Sequence, residues 1–148
     1  PWVAGSYYKD GTASAAFAGG WFRTGDVVTI DELAYIHITD RKKDLIKSRG
    51  EWISSVEMEG EVLQHAGVLE AAVVGRPDAL RGEAPVLFVV AADATRPPDA
   101  AELVELLARR FERWQLPKLE DVRIVSEIPK TSVGKFDKKL LRQRLAET

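Results

Sequence analysis

One segment, residues 84–92, constrains the fold more than any other, because "APVLFVVAA" is apolar throughout. A short continuous apolar run of this kind predicts a β-strand that is buried on both faces. The stretch "VLEAAVVGRP", residues 68–77, is also largely apolar and predicts a second strand. We therefore expect a small sheet at the centre of a folded domain.

Three helices are predicted around this sheet. Ser54 followed by Glu57 matches a capping box, Asp99 is a second candidate N-cap, and residues 137–146 form a basic helical segment. The order of strands and helices after residue 43 predicts an α+β domain, a short sheet flanked by helices. The expected apolar face of the first helix comprises Val56, Val62 and Leu63, with Met58 as a further candidate. That of the second comprises Leu103, Leu106, Leu107 and Phe111.

The first part of the chain has a different character. Residues 1–25 are rich in Gly and Ala and are predicted to be loop, whereas residues 27–30 and 34–38 alternate in the manner of a β-hairpin. The N-terminus has neither an initiator Met nor the pattern of a signal peptide. We therefore expect the chain to be a piece of a longer protein.

Composition excludes several functions. The chain has no cysteine, which rules out disulfides, thiolate metal sites and cysteine nucleophiles. The net charge of −2 argues against nucleic-acid binding driven by bulk charge, and the aromatic-basic pattern of RNA-binding strands is absent. No apolar run approaches the ~20 residues of a membrane span. A cytoplasmic protein is expected, and a homo-oligomer is left open.

The pair Gly134 and Lys135 raises the question of a phosphate-binding loop. A P-loop requires a glycine five residues before the Gly of this pair and Ser or Thr after the lysine. Pro129 and Phe136 occupy those positions, so a P-loop is excluded. Four basic residues follow Lys135 and are expected to form a solvated helix face: Lys138, Lys139, Arg142 and Arg144.

Three motifs, read together, carry a more specific resemblance. "GWFRTGD" (residues 20–26), "DRKKDLIKSRGEWISSVEME" (residues 40–59) and "PKTSVGK" (residues 129–135) resemble the last three signature motifs of the adenylate-forming superfamily. That superfamily includes acyl-CoA synthetases, peptide-synthetase adenylation domains and beetle luciferases. "GEWISS" and "WQLPK" are most similar to the medium- and long-chain fatty-acyl-CoA synthetases. The resemblance implies that residues 1–42 end a large nucleotide-binding domain and that residues 43–148 are its C-terminal lid domain.

The resemblance also implies a two-step reaction and roles for its residues. A fatty acid carboxylate attacks the α-phosphate of ATP, which enters with Mg²⁺, and the thiol of CoA then displaces AMP. Asp26 would bind both ribose hydroxyls and Arg41 would add a donor there. Lys135 would neutralise the charge that develops at the α-phosphate. The small residues before Lys135 are expected to let its loop enter and leave.

A second set of residues would serve the thioester step. The resemblance places a hinge at Lys43, and after rotation about it the loop formed by Lys47, Arg49 and Gly50 would line the CoA channel. Relatives commonly have a glycine where this chain has Arg49, so Arg49 is either a surface residue or a ligand of a CoA phosphate. Trp52 is expected to be an aromatic anchor of the core, with a role in the acyl-CoA tunnel as the alternative.

Other interpretations remain open. The chain could be a free-standing module that binds CoA or a nucleotide, or part of an adenylating enzyme for another carboxylic acid. Alone it is expected to be inactive, because the acyl pocket of such enzymes lies upstream. His37 and His65 have no second ligand at metal spacing, so no protein-bound metal is expected.

Overall fold

The computed structural model describes residues 6, 8, 9 and 16–147. The chain divides into two compact units, Pro1–Lys43 and Asp44–Thr148. About half of the predicted N-terminal loop, residues 1–5, 7 and 10–15, lies outside the described residues.

The described part of the first unit consists of two antiparallel strand pairs. Strands β1 (Phe17–Ala18) and β2 (Trp21–Phe22) pair within the segment that was predicted to be loop, which corrects that prediction locally. The predicted hairpin is confirmed as β3 (Asp26–Ile30) and β4 (Ile36–Arg41). Its turn is held by Asp31, whose carboxylate accepts hydrogen bonds from the backbone N–H groups of Leu33 and Tyr35, each at 2.9 Å.

The second unit is built on a five-stranded sheet. Its strands are β5 (Ile46–Ser48), β6 (Glu51–Ile53), β7 (Val68–Asp78), β8 (Gly82–Ala91) and β9 (Val122–Val125). Strand β8 contains most of the apolar run identified in the sequence and lies at the centre. One edge of β8 pairs with β7 along its whole length, and the other pairs with β5 at Gly82 and with β9 from Leu87 to Val90. Residues 84–89 of β8 are all buried, so the prediction of a strand buried on both faces is confirmed.

Three helices cover the sheet: α1 (Ser55–Val62), α2 (Ala100–Leu107) and α3 (Lys138–Ala146). Each begins where a side chain accepts a backbone N–H of its first turn. Those caps are Ser54, Asp99 and Asp137, and the first two were predicted from the sequence. Such caps satisfy N–H groups that would otherwise lack partners.

The two faces of the sheet bury two hydrophobic clusters. Alternate residues of β7 and β8 point to opposite faces, and one face packs against α1 and α2 while the other packs against Leu141 of α3. The predicted apolar face of α1 is wrong for Val56 and Leu63, which are each 47% exposed, whereas Val62 and the further candidate Met58 are fully buried. Phe111 is buried as predicted, but it lies beyond the end of α2.

Candidate functional site

Asp26 and Arg41 form an ion pair in the first unit. They lie opposite one another in the β3–β4 hairpin, and Arg41 Nε is 3.0 Å from Asp26 Oδ1. The backbone N–H of Asp26 donates to Thr24 Oγ1 at 3.2 Å. The hairpin therefore brings together two predicted site residues that are 15 positions apart in sequence.

The backbone next to this pair is also fixed. Gly25 has φ +77°, in the left-handed region that favours glycine, and its carbonyl accepts the N–H of Lys42 at 2.8 Å. A cleft of about 530 Å³ is lined by Thr24, Gly25, Arg41, Lys42 and Lys43. The predicted hinge residue, Lys43, thus lines the same cleft as Arg41.

Lys47, Arg49 and Gly50 belong to a tight hairpin in the second unit. Ser48 pairs with Glu51, so only Arg49 and Gly50 connect β5 to β6, and both have positive φ, +53° and +87°. Two consecutive positive φ angles are typical of a type I′ turn. Arg49 takes the left-handed conformation although it is not glycine, and its N–H donates to the carbonyl of Arg81 at 2.7 Å. The turn therefore forms with Arg49, and not a second glycine, at its first central position.

This geometry predicts an asymmetric response to substitution within the turn. We expect Gly50→Ala to lower the free energy of unfolding of the chain by about 1 kcal/mol, because an alanine at positive φ is strained. Arg49→Gly is expected to change it by less than about 0.5 kcal/mol, since relief of strain is offset by a more flexible unfolded chain. Urea unfolding of both variants checks this. A larger loss for Arg49→Gly would contradict the turn assignment.

Trp52 lies on the outer face of this hairpin. Ile46 and Ile53 point into the core, whereas Trp52 is 54% exposed and pairs with Lys47, whose Nζ is 5.4 Å from the centre of the indole ring. The prediction that Trp52 anchors the core is therefore wrong. Its indole ring instead lies on the surface of the hairpin, in a cation–π contact with Lys47.

Arg49 also borders a second cleft, of about 550 Å³. Its lining contains four basic residues, two acidic residues, a tryptophan and a leucine: Arg49, Arg81, Arg113, Lys118, Asp78, Glu112, Trp114 and Leu80. Nη2 of Arg81 is buried and has no hydrogen-bond partner within the described part of the chain. The pKa of Asp78 is lowered, chiefly because its carboxylate accepts the N–H groups of Leu80 and Arg81. The sequence motifs indicated only Arg49 here, since the other residues come together through the fold.

Lys135 is exposed near the tip of a short hairpin. The hairpin is closed by Thr131 N–H donating to the Lys135 carbonyl at 2.7 Å and Gly134 N–H donating to the Thr131 carbonyl at 2.9 Å. At its base Lys130 pairs with Phe136 in the backbone and with Glu70 through an ion pair. The loop is thus a hydrogen-bonded hairpin. This geometry favours movement of Lys135 together with the whole second unit, whereas the small residues of the loop had predicted that the loop moves by itself.

The basic helix behind Lys135 is not simply a solvated face. Lys138 is largely buried, with its side chain 12% exposed, and its Nζ lies 2.7 Å from Glu59 Oε1 and 2.8 Å from Ser55 Oγ. Arg142 pairs with Asp44 at 2.9 Å, whereas Lys139 and Arg144 are exposed. The prediction is therefore wrong for Lys138 and Arg142. The sequence contained a sign of this, because Lys138, Leu141 and Arg142 are at positions i, i+3 and i+4 and so share the helix face that Leu141 buries.

The described residues show two further properties that bear on function. They include no group of three or more His, Asp or Glu side chains arranged to hold a metal ion. No helix formed by the same residues is long and apolar enough to cross a membrane.

Comparison with known proteins identifies the family. The family model of the AMP-binding enzyme C-terminal domain matches residues 57–135, more than half of the chain, and the match ends at Lys135. The chain belongs to this family, and its α+β fold is that of the C-terminal domain of adenylate-forming enzymes.

Individual relatives give the same classification. A long-chain-fatty-acid–CoA ligase of Thermus thermophilus is 46% identical over 97% of this chain and 26% of its own length. A 2-methylpropanoate–CoA ligase of Humulus lupulus is 45% identical over 92% of this chain and 25% of its own length. The structure of the o-succinylbenzoate CoA synthetase from Bacillus subtilis, in complex with its acyl-adenylate intermediate, matches with a TM-score of 0.82 and 31% identity, over 93% of this chain and 28% of that one. The chain thus spans about a quarter of the length of these relatives.

Proposed function

We propose that this chain is the C-terminal part of an ATP-dependent acid–CoA ligase, which forms an acyl-adenylate and then a CoA thioester. The observation that carries the proposal is the family match over residues 57–135, which ends at the exposed lysine of a hydrogen-bonded hairpin. Below, "intact ligase" means the protein in which this chain follows a large nucleotide-binding domain. The chain alone is expected to be inactive.

For the adenylation step we assign Lys135, Asp26 and Arg41. Lys135 is the mobile positive charge that stabilises the α-phosphate as the fatty acid carboxylate attacks it. Asp26 accepts hydrogen bonds from the ribose hydroxyls, a task that suits a carboxylate with two acceptor oxygens. The ion pair with Arg41 supports this assignment, because it orients the Asp26 carboxylate at the end of a paired strand.

For the thioester step we assign the turn at Lys47, Arg49 and Gly50, brought into place by rotation about Lys43. The division of the chain between Lys43 and Asp44 supports a hinge there. The cleft beside Arg49 supports a CoA role, because its basic residues suit the phosphates of CoA and Trp114 offers a flat apolar surface to an adenine ring.

For the substrates we propose a medium- or long-chain fatty acid, ATP with Mg²⁺, and CoA. The similarity to the Thermus thermophilus ligase supports a fatty acid, whereas the Humulus lupulus relative acts on 2-methylpropanoate. Mg²⁺ would enter as a complex with ATP and not as a protein-bound ion. A cytoplasmic location remains a prediction of the sequence.

The experiment that tests this function is acid-dependent pyrophosphate release by the intact ligase, with acetate, octanoate, palmitate and benzoate compared. Release with octanoate or palmitate would support a fatty-acyl-CoA ligase. Release with benzoate alone would retain the family and reject the fatty acid. No release from a folded protein that binds CoA tightly would favour the binding module.

The ribose assignment makes a separate prediction. We expect Asp26→Asn to raise the KM for ATP in the intact ligase by about tenfold or more, because hydrogen bonds to a charged group contribute about 1.5–3 kcal/mol. The KM for the acid should change little. Asp31→Asn in the neighbouring turn is the matched control. Equal KM values for ATP in the two variants would contradict the role of Asp26.

A further inference from the structure

Asp44 is the first residue of the second unit and follows Lys43 directly. Its side chain is only 14% exposed, and its Oδ1 accepts a hydrogen bond from Arg142 Nη2 at 2.9 Å. The partner lies 98 residues later in the sequence, on α3. A long-range ion pair therefore fixes the position where the second unit begins.

The same helix carries the hairpin of Lys135. Asp137 is the N-cap of α3, with its Oδ1 3.0 Å from the N–H of Leu140. The backbone N–H of Asp137 also donates to the carbonyl of Pro129 at 2.7 Å, across the base of the hairpin. Two residues after Lys135, the chain is therefore tied both to the hairpin and to the helix.

Helix α3 is itself held firmly to the sheet. Leu141 is 2% exposed and belongs to the hydrophobic cluster on the α3 side of the sheet. Lys138 pairs with Glu59 of α1. Glu59 Oε1 also accepts the N–H of Val73 at 2.7 Å, on the outer edge of β7. One face of α3 carries Lys138, Leu141 and Arg142. Through this face the helix contacts α1, the sheet and Asp44, and its N-cap residue is bonded to the Lys135 hairpin.

We propose that Arg142 is a positioning residue for adenylation, which ties α3, the helix that follows the Lys135 hairpin, to the hinge through Asp44. The inference rests on the proposed function, since it concerns how rotation about Lys43 delivers Lys135. When the second unit rotates, the Arg142–Asp44 pair keeps α3 in a fixed position relative to the hinge. The turn at residues 47–50 depends on the pair less, because β5 follows Asp44 directly in the chain and pairs with β8.

The two steps should therefore respond differently to loss of the pair. Placing a catalytic group inaccurately lowers the rate steeply, even when the group itself is intact. A role in stability alone would lower both steps together, by reducing the amount of folded protein. The ratio of the two half-reaction rates separates these roles.

The test uses four variants of the intact ligase: Arg142→Gln, Asp44→Asn, the double variant and Arg142→Lys. Arg144→Gln, an exposed position on the same helix, is the control. Adenylation is measured as acid-dependent pyrophosphate release, and thioester formation as CoA consumption from supplied acyl-adenylate. Circular dichroism verifies folding. If Arg142→Gln does not fold, the single variants Arg142→Lys and Asp44→Asn are compared with the unsubstituted ligase instead.

We expect adenylation to fall about tenfold in Arg142→Gln and in Asp44→Asn, and no further in the double variant, because the two residues act as one pair. Thioester formation should change less than about twofold, and Arg142→Lys should recover part of the loss. Equal loss in both half-reactions, or Arg142→Gln equal to Arg144→Gln, would overturn the role of Arg142. Absence of pyrophosphate release from the unsubstituted ligase would instead count against the proposed function.

Discussion

Replacing Lys135 with alanine in the intact ligase should lower the rate of acyl-adenylate formation by about 100-fold or more. The lysine supplies a positive charge where negative charge develops in the transition state, and removing one preorganised donor of this kind costs about 3–4 kcal/mol. Because Lys135 is exposed and its hairpin is closed by backbone hydrogen bonds, the substitution should leave the fold intact. Acid-dependent pyrophosphate release measures the effect.

Thioester formation separates this role from a general loss of activity. Lys135→Ala should consume CoA from supplied acyl-adenylate at nearly the normal rate, since the proposed second step uses the turn at residues 47–50. Lys139→Ala is the matched control, because Lys139 is exposed four residues later. Equal losses of adenylation in the two variants would show that Lys135 contributes only a general positive charge.

The second large effect concerns stability. We expect Lys138→Met to lower the free energy of unfolding of the chain by about 3 kcal/mol, because it leaves Glu59 largely buried without its cation. The Glu59 side chain is only 13% exposed, so water can compensate only in part for the loss of the Lys138 charge. Urea unfolding followed by circular dichroism gives the free energy difference.

Lys139→Met is the control for this measurement, since it removes the adjacent exposed lysine of the same helix. It should change stability by less than about 0.5 kcal/mol. Glu59→Gln, which retains an acceptor for the Val73 N–H, should be less damaging than Glu59→Leu. Similar stabilities of Lys138→Met and Lys139→Met would show that the buried pair contributes little.

Local sequence signals predicted the elements whose causes are local. The continuous apolar run predicted β8, and the capping residues Ser54 and Asp99 predicted the starts of α1 and α2. The β3–β4 hairpin was likewise predicted from alternation and its turn. For the candidate site, the motifs indicated Asp26 and Arg41, which the hairpin brings together.

Tertiary packing decided what the sequence left unresolved. Trp52 is apolar enough for a core, but the two-residue turn at Arg49 and Gly50 sets the register that turns it outward. Lys138 is a typical surface residue, yet the buried carboxylate that receives it, Glu59, lies 79 positions earlier in the sequence. Partners this distant cannot be matched from one sequence, because periodicity describes only a helix's own faces.

The two hydrophobic clusters of the second unit have a consequence for protein engineering. Every buried member lies between Ile46 and Leu141, so a junction at Lys43 cuts through neither cluster. The unit is therefore suited to transplantation onto the large domain of another ligase. Under the proposed function, we expect such a hybrid to take its choice of acid from the recipient, and Lys135 and the turn at residues 47–50 from this chain.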